Sequence, residues 1–151
     1  MRFAELRRAI FAAIVAVTFP GPAWACTISA APVNFGAYAP SSASERLGYG
    51  TVNVTCPGTA SPTAQLSISA GASASFLSRR MNSGANALQY NLYTSSAVGA
   101  PVWGDGSGGS VTVTIAGANA TTATTVYGRI PAQQNVQAGT YSDTMIVTVT
   151  F

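Results

Sequence analysis

Met145-Ile146-Val147-Thr148-Val149-Thr150-Phe151 closes the chain, and its period-two pattern reads as a β-strand. Met145, Val147, Val149 and Phe151 fall on one face of that strand. The same period recurs upstream. Gly50–Cys56 points Val52, Val54 and Cys56 one way, and Ala64–Ala70 does so with Leu66 and Ile68. Leu88–Tyr93 turns Leu88, Tyr90 and Leu92 inward, and Ser110–Ile115 turns Val111, Val113 and Ile115 inward. Turn clusters separate these runs: Pro57-Gly58, Ser83-Gly84, the Gly-rich stretch 104–109, Gly117-Ala118-Asn119 and Ala138-Gly139. Short strands at this spacing predict an all-β, antiparallel sandwich or barrel with Greek-key connections. Residues 26–151 carry no amphipathic helix, no domain boundary and no internal repeat, so one domain is expected.

The first 25 residues have the form of a secretory signal peptide. Arg2, Arg7 and Arg8 precede an apolar stretch from Ala9 to Phe19, then the breakers Pro20-Gly21-Pro22, then Ala23-Trp24-Ala25. The apolar stretch is shorter than the roughly 20 residues that cross a bilayer. Cleavage between Ala25 and Cys26 is expected, which puts Cys26 first in the mature chain. A lipid-modified Cys26 is the competing reading. Ala23 and Trp24 stand where such signals carry Leu and a small residue.

Composition narrows the function. Removing the first 25 residues leaves four arginines (Arg46, Arg79, Arg80, Arg129) and three acids (Glu45, Asp105, Asp143), a mature net charge of +1. Nucleic acid and anionic membranes are therefore not expected partners. Cys26 and Cys56 are the two cysteines, and an even count in an exported chain predicts a disulfide. With no histidine, two thiolates are too few for a zinc site, and no metal or other cofactor is expected. Histidine and lysine are both absent, which removes the common general bases; no enzymatic role and no small-molecule substrate are expected. Asp105 in its Gly-rich turn reads as a cap on its own backbone, and Asp143 as a cross-strand partner of Arg129. The Gly104–Gly109 stretch lacks the Lys and helix of a phosphate loop. Arg79-Arg80 reads as a solvated loop pair, and Trp103 with the tyrosines as core. Asn53-Val54-Thr55 and Asn119-Ala120-Thr121 fit the N-glycosylation pattern, which would need a eukaryotic secretory route.

The last strand has no Lys, Pro or charge on its inward face. An exposed edge of this kind templates pairing with other chains. The pattern predicts that something covers the groove beside it.

The ordered motifs resemble one family. Cys26 followed by Val33-Asn34-Phe35-Gly36-Ala37-Tyr38 is similar to the Cys…F-G-x-Y opening of spore coat protein U-like domains. Gly50–Cys56 is similar to the strand that ends in the second cysteine. Arg80-Met81 with Leu88-Gln89-Tyr90-Asn91-Leu92-Tyr93 resembles R-x-M…L-x-Y-N-L-Y, here with Arg80 and Met81 adjacent. Trp103-Gly104-Asp105-Gly106, Tyr127–Pro131 and Gly139–Asp143 resemble the remaining motifs.

This family includes pilins of archaic chaperone–usher pathways. The resemblance implies an immunoglobulin-like Greek-key sandwich that is incomplete, lacking its last strand. It implies a groove lined by Met145, Val147, Val149 and Phe151, filled first by a periplasmic chaperone and then by a neighbouring pilus subunit's donor strand. An outer-membrane usher and a cell-surface fimbrium or secreted destination come with it. One departure stands out: with Cys26 first, no donor segment precedes the cysteine, and residues 20–25 are too short and proline-rich to serve as one. A tip, terminating or accessory subunit is the expected role. The alternative is a self-complete secreted sandwich, lectin-like or matrix-forming.

Overall fold

The computed structural model describes residues 26–56, 63–115 and 121–151. The signal segment with Ala25 and the turns Pro57-Gly58 and Gly117-Ala118-Asn119 lie outside them. Eight strands are described: β1 (Thr27–Asn34), β2 (Arg46–Thr55), β3 (Ala64–Ile68), β4 (Arg79–Ser83), β5 (Asn86–Tyr93), β6 (Val113–Ile115), β7 (Thr121–Ile130) and β8 (Val147–Thr150). They form a five-stranded sheet, ordered β1-β2-β7-β5-β4, and a three-stranded sheet, ordered β6-β3-β8. Every strand pair is antiparallel. The all-β sandwich expected from the strand period is the architecture found.

Inward residues of both sheets make one core. Val52, Val54, Leu66, Ile68, Leu88, Leu92, Val126, Ile130 and Met145 are all buried there. Trp103 is completely buried, and its indole Nε1 donates to the Leu66 carbonyl at 3.1 Å. That bond satisfies the polar end of an otherwise apolar ring.

β5 is shared end to end. Asn86–Tyr90 pairs with β4, and Asn91–Tyr93 pairs with β7. β4 itself corrects the sequence reading, which left Arg79-Arg80 in a loop. Arg79 and Met81 alternate inward on this strand, at 0% and 2% exposure, and Arg80 points out. An arginine at an inward position hides the period-two signal. Val111 is a second correction: it is 37% exposed, not inward. Strand β6 begins two residues later, because Ser110 and Val111 still close the Gly-rich turn onto Ser107 and Gly104.

β1 reaches the core through a trough of glycines. Its register against β2 shifts between Ala31 and Asn34, which brings Val33 and Phe35 over the inner face of the sheet. Gly48 and Gly128 are direct cross-strand partners there. A Cβ at Gly128 would stand 2.5 Å from Phe35 Cζ and 2.7 Å from Val33 Cγ1. The Phe35 ring is also held edge-on by Tyr90, with centroids 5.8 Å apart, so it has no room to yield. Gly128→Ala is therefore expected to destabilise the fold by about 1–3 kcal/mol, the usual cost of overpacking. Thr125→Ala, at an exposed position on the same strand, should cost less. Urea unfolding of the two variants checks the difference.

Candidate functional site

The site is the edge of the small sheet together with the polar network that leads into it. β8 pairs with β3 along Ile68↔Val147, Ser67↔Thr148, Leu66↔Val149 and Gln65↔Thr150. Its other edge has no strand partner among the described residues. β1 is likewise an edge strand, paired to β2 alone. Trp103 N donates to Leu92 O on β5, and Gly104 N donates to Val111 O next to β6. These bonds tie the segment between β5 and β6 to the end of β5, and Asn82 N to Ser142 O with Ser142 N to Asn82 O ties the lead-in of β8 to β4. Inward side chains at these edges are half-buried: Cys26 just before β1, Ile28 and Ala30 on β1, and Val149 on β8. Farther in, Val52, Leu66 and Val126 are sealed.

The residues expected to line a groove divide along β8 and its lead-in. Met145 and Val147 are core residues at 1% and 3% exposure. Val149 is half-buried, and Phe151 is 60% exposed. Cys26 and Cys56 form a disulfide, which ties the start of β1 to the end of β2.

A buried polar network fixes the approach to β8. The Arg79 guanidinium donates to Ser69 O (2.9 Å) and Trp103 O (2.8 Å) through Nη2, and to Asn91 Oδ1 (2.8 Å) through Nη1. Its Nε also donates to Ser69 O, and the group sits 5.3 Å from the Phe76 ring centroid. Burial pushes its pKa below the ordinary value, against the raising fields of Tyr90 and Asp143. Asp143 is 6% exposed. Its Oδ1 accepts from Ala72 N and Thr144 N, and its Oδ2 accepts from Tyr90 Oη at 2.8 Å. Burial first, then the Asp143 charge, raises the Tyr90 phenol well above its ordinary range. Asp143 thus does not pair with Arg129, as its sequence position suggested. Arg129 lies 4.0 Å from Glu45, stacks 4.9 Å from the Tyr93 ring centroid and donates to Ser96 O and Ala97 O. The long chain segment between β7 and β8 carries Asp143 to the far side of Tyr90, out of reach of Arg129.

The remaining candidates stay apart. Asp105 Oδ1 accepts from the Ser107 amide and hydroxyl, as a turn cap would, and these bonds hold its carboxyl below the usual range. Among the described residues no three His, Cys, Asp or Glu side chains gather where a metal could sit.

Two measurements probe the network. Arg79→Ala leaves the Ser69 and Trp103 carbonyls without this donor, and Asn91 Oδ1 with Leu92 N alone, and should cost about 2–5 kcal/mol in urea unfolding. Arg80→Ala, at an exposed position, should stay within about 0.5 kcal/mol. Tyr90 predicts a pH dependence. Its phenol ionises near pH 10 in the unfolded chain and resists ionising when folded, so its contribution is complete well below about pH 10 and fades above it. Urea midpoints should fall as the pH rises above about 10, and Tyr90→Phe should flatten that fall.

Comparison with known proteins places this architecture. The family model of the Spore Coat Protein U domain matches residues 12–148. The chain is 33% identical over 130 residues to Protein U of Myxococcus xanthus, an alignment covering 79% of this chain and 71% of that protein. A solved structure is also similar, at TM-score 0.55 and 25% identity. It is the CsuC–CsuE chaperone–tip adhesion subunit pre-assembly complex from archaic chaperone-usher Csu pili of Acinetobacter baumannii. The alignment takes in 84% of this chain and 40% of the chain it matches there, so this protein spans about two fifths of that one's length. On the family match over most of its length, with the disulfide and sandwich in place, the chain belongs to the Spore Coat Protein U domain family.

Proposed function

We propose that this protein is a structural subunit of a chaperone–usher surface fibre, exported through the periplasm, that accepts a strand from another chain along the free edge of β8. One observation carries the reading. Ile28 and Ala30 of β1 and Val149 of β8 are inward apolar residues left half-buried, and no strand of this chain pairs with the free edge of either strand among the described residues. A strand added beside β8 would supply main-chain partners to that edge and apolar cover to Ile28, Ala30 and Val149. Val149 and Phe151 would be the residues it touches most, because Met145 and Val147 are already covered by the protein's own core. A periplasmic chaperone would present the first such strand, an outer-membrane usher would exchange it, and a neighbouring subunit would present the second. The similarity to a chain of a chaperone–subunit complex supports the chaperone as a partner. A fibre-end or accessory position is the finer reading.

Co-expression with a cognate chaperone should yield a soluble one-to-one complex, whereas the chain alone should aggregate or be degraded in the periplasm. Val149→Asp should abolish the complex, since it sets an unpaired charge against the incoming apolar strand. A chain that is a stable monomer without the chaperone, with β8 amides slow to exchange, would overturn the reading.

A further inference from the structure

The sequence of β8 cannot choose its own register. Ile146-Val147-Thr148-Val149-Thr150 repeats every two residues, and the inward positions Met145, Val147, Val149 and Phe151 are all apolar. A one-residue slip would turn Thr148 and Thr150 into the core, which burial forbids. A two-residue slip does not. It sets Val149 opposite Ile68 and Phe151 opposite Leu66, with threonines still outside. The partner strand β3 is equally permissive, because Leu66 and Ile68 are similar in size and shape.

Something outside the ladder must therefore pin the strand, and the network before it does so. Asp143 is seated by three hydrogen bonds from three parts of the chain: Tyr90 on β5, Ala72 in the 3-10 turn Gly71–Ser73, and its own neighbour Thr144. The residue before Asp143 is held as well, by the backbone pair Asn82 N to Ser142 O and Ser142 N to Asn82 O. Gly71 has a positive φ of 66°, and a Cβ there would collide with the carboxylate. Moving the strand by two residues shifts Asp143 by about 7 Å, out of reach of all but Thr144. The next contact along repeats the constraint. Ser69 N donates to Ile146 O, yet the return bond from Ile146 N goes to Ser69 Oγ, at 2.9 Å. The Ser69 carbonyl that would ordinarily take it is held by Arg79. The ladder is thus stopped at this pair by a buried guanidinium.

We infer that Asp143 is a positioning residue that sets the register of β8, with Ser69 and Arg79 as its second anchor, and so sets how much apolar edge the strand offers to a partner. The consequence for a partner rests on the strand-accepting role proposed above. The register itself does not.

Cross-strand cysteine trapping in the full chain, oxidised in a bacterial periplasm and read by peptide mass mapping, tests it. Ser67 faces Thr148 in the register observed, and would face Thr150 after the slip. In the otherwise unchanged chain, S67C/T148C should close and S67C/T150C should remain reduced. In Asp143→Asn the S67C/T150C bond should rise at least tenfold, and Tyr90→Phe, a milder loss at the same carboxylate, should give a smaller rise. Adding Phe151→Asp, which would bury a charge opposite Leu66 in the slipped register, should suppress it again. A merely structural role for Asp143 predicts no such rescue. Native-only trapping in a folded Asp143→Asn or Tyr90→Phe chain overturns the inference. Trapping is read on the chain co-expressed with its chaperone, or on the chain alone if that proves a stable monomer, so this result and the chaperone experiment can fail separately.

Discussion

A fixed positive charge inside the sandwich organises what surrounds it. Arg79 cannot be neutralised at any pH a protein meets, so burial obliges the fold to supply acceptors around it. They come from both sheets: the Ser69 carbonyl just past β3, the Trp103 carbonyl in the crossing segment and the Asn91 amide oxygen on β5. Each acceptor fixes a different piece of chain against β4. Asp143 answers the charge from beyond Tyr90 without touching it, which spares the core a tight ion pair while keeping both signs present. The gap between the two sheets at this end is bridged by hydrogen bonds to carbonyls, where elsewhere it is filled by aliphatic side chains.

The neighbouring stretch of the large sheet is settled by absence of bulk. Gly48 and Gly128 make a floor low enough for Phe35 to lie on, and the β1 irregularity after Ala31 delivers it there. β1 can then sit at the edge of one sheet while its continuation plugs the core. The disulfide holds the opposite end of β1 to β2. Between those two fixed points, Ile28 and Ala30 are left at the margin of the core with incomplete cover.

Strand period made the apolar strands readable from sequence: Val52 and Val54, Leu66 and Ile68, Leu88 and Leu92 lie inward as the alternation predicts. β7 escaped the same reading because its first half is Thr121-Thr122-Ala123-Thr124-Thr125, with no large apolar residue on either face to set a phase. Arg79 escaped for a related reason. A charged residue reads as solvent-facing, and the carbonyls that hold it inside lie 10 to 24 residues away. The motif R-x-M, matched in sequence at Arg80-Met81, is met in the fold by Arg79 and Met81, the two inward residues of β4. Asp143 shows the limit of local reasoning: Arg129 looked like its partner, while the chain between β7 and β8 carries it to Tyr90. The apolar face of the last strand was legible, but the depth at which each of its residues sits was not, since Met145 and Phe151 differ only in how far the neighbouring sheet extends.

The Cys26–Cys56 link also has a mechanical meaning. Any load applied to the start of β1 passes into β2 through a covalent bond before it reaches the hydrogen-bond ladder between them. The 30 residues of sequence separation that the bond spans cannot be drawn out. Extended, they would add roughly 100 Å of slack. A domain pulled from this end would therefore resist as a short, stiff link until the pairing of β2 with β7 gave way, and would release little length before that point.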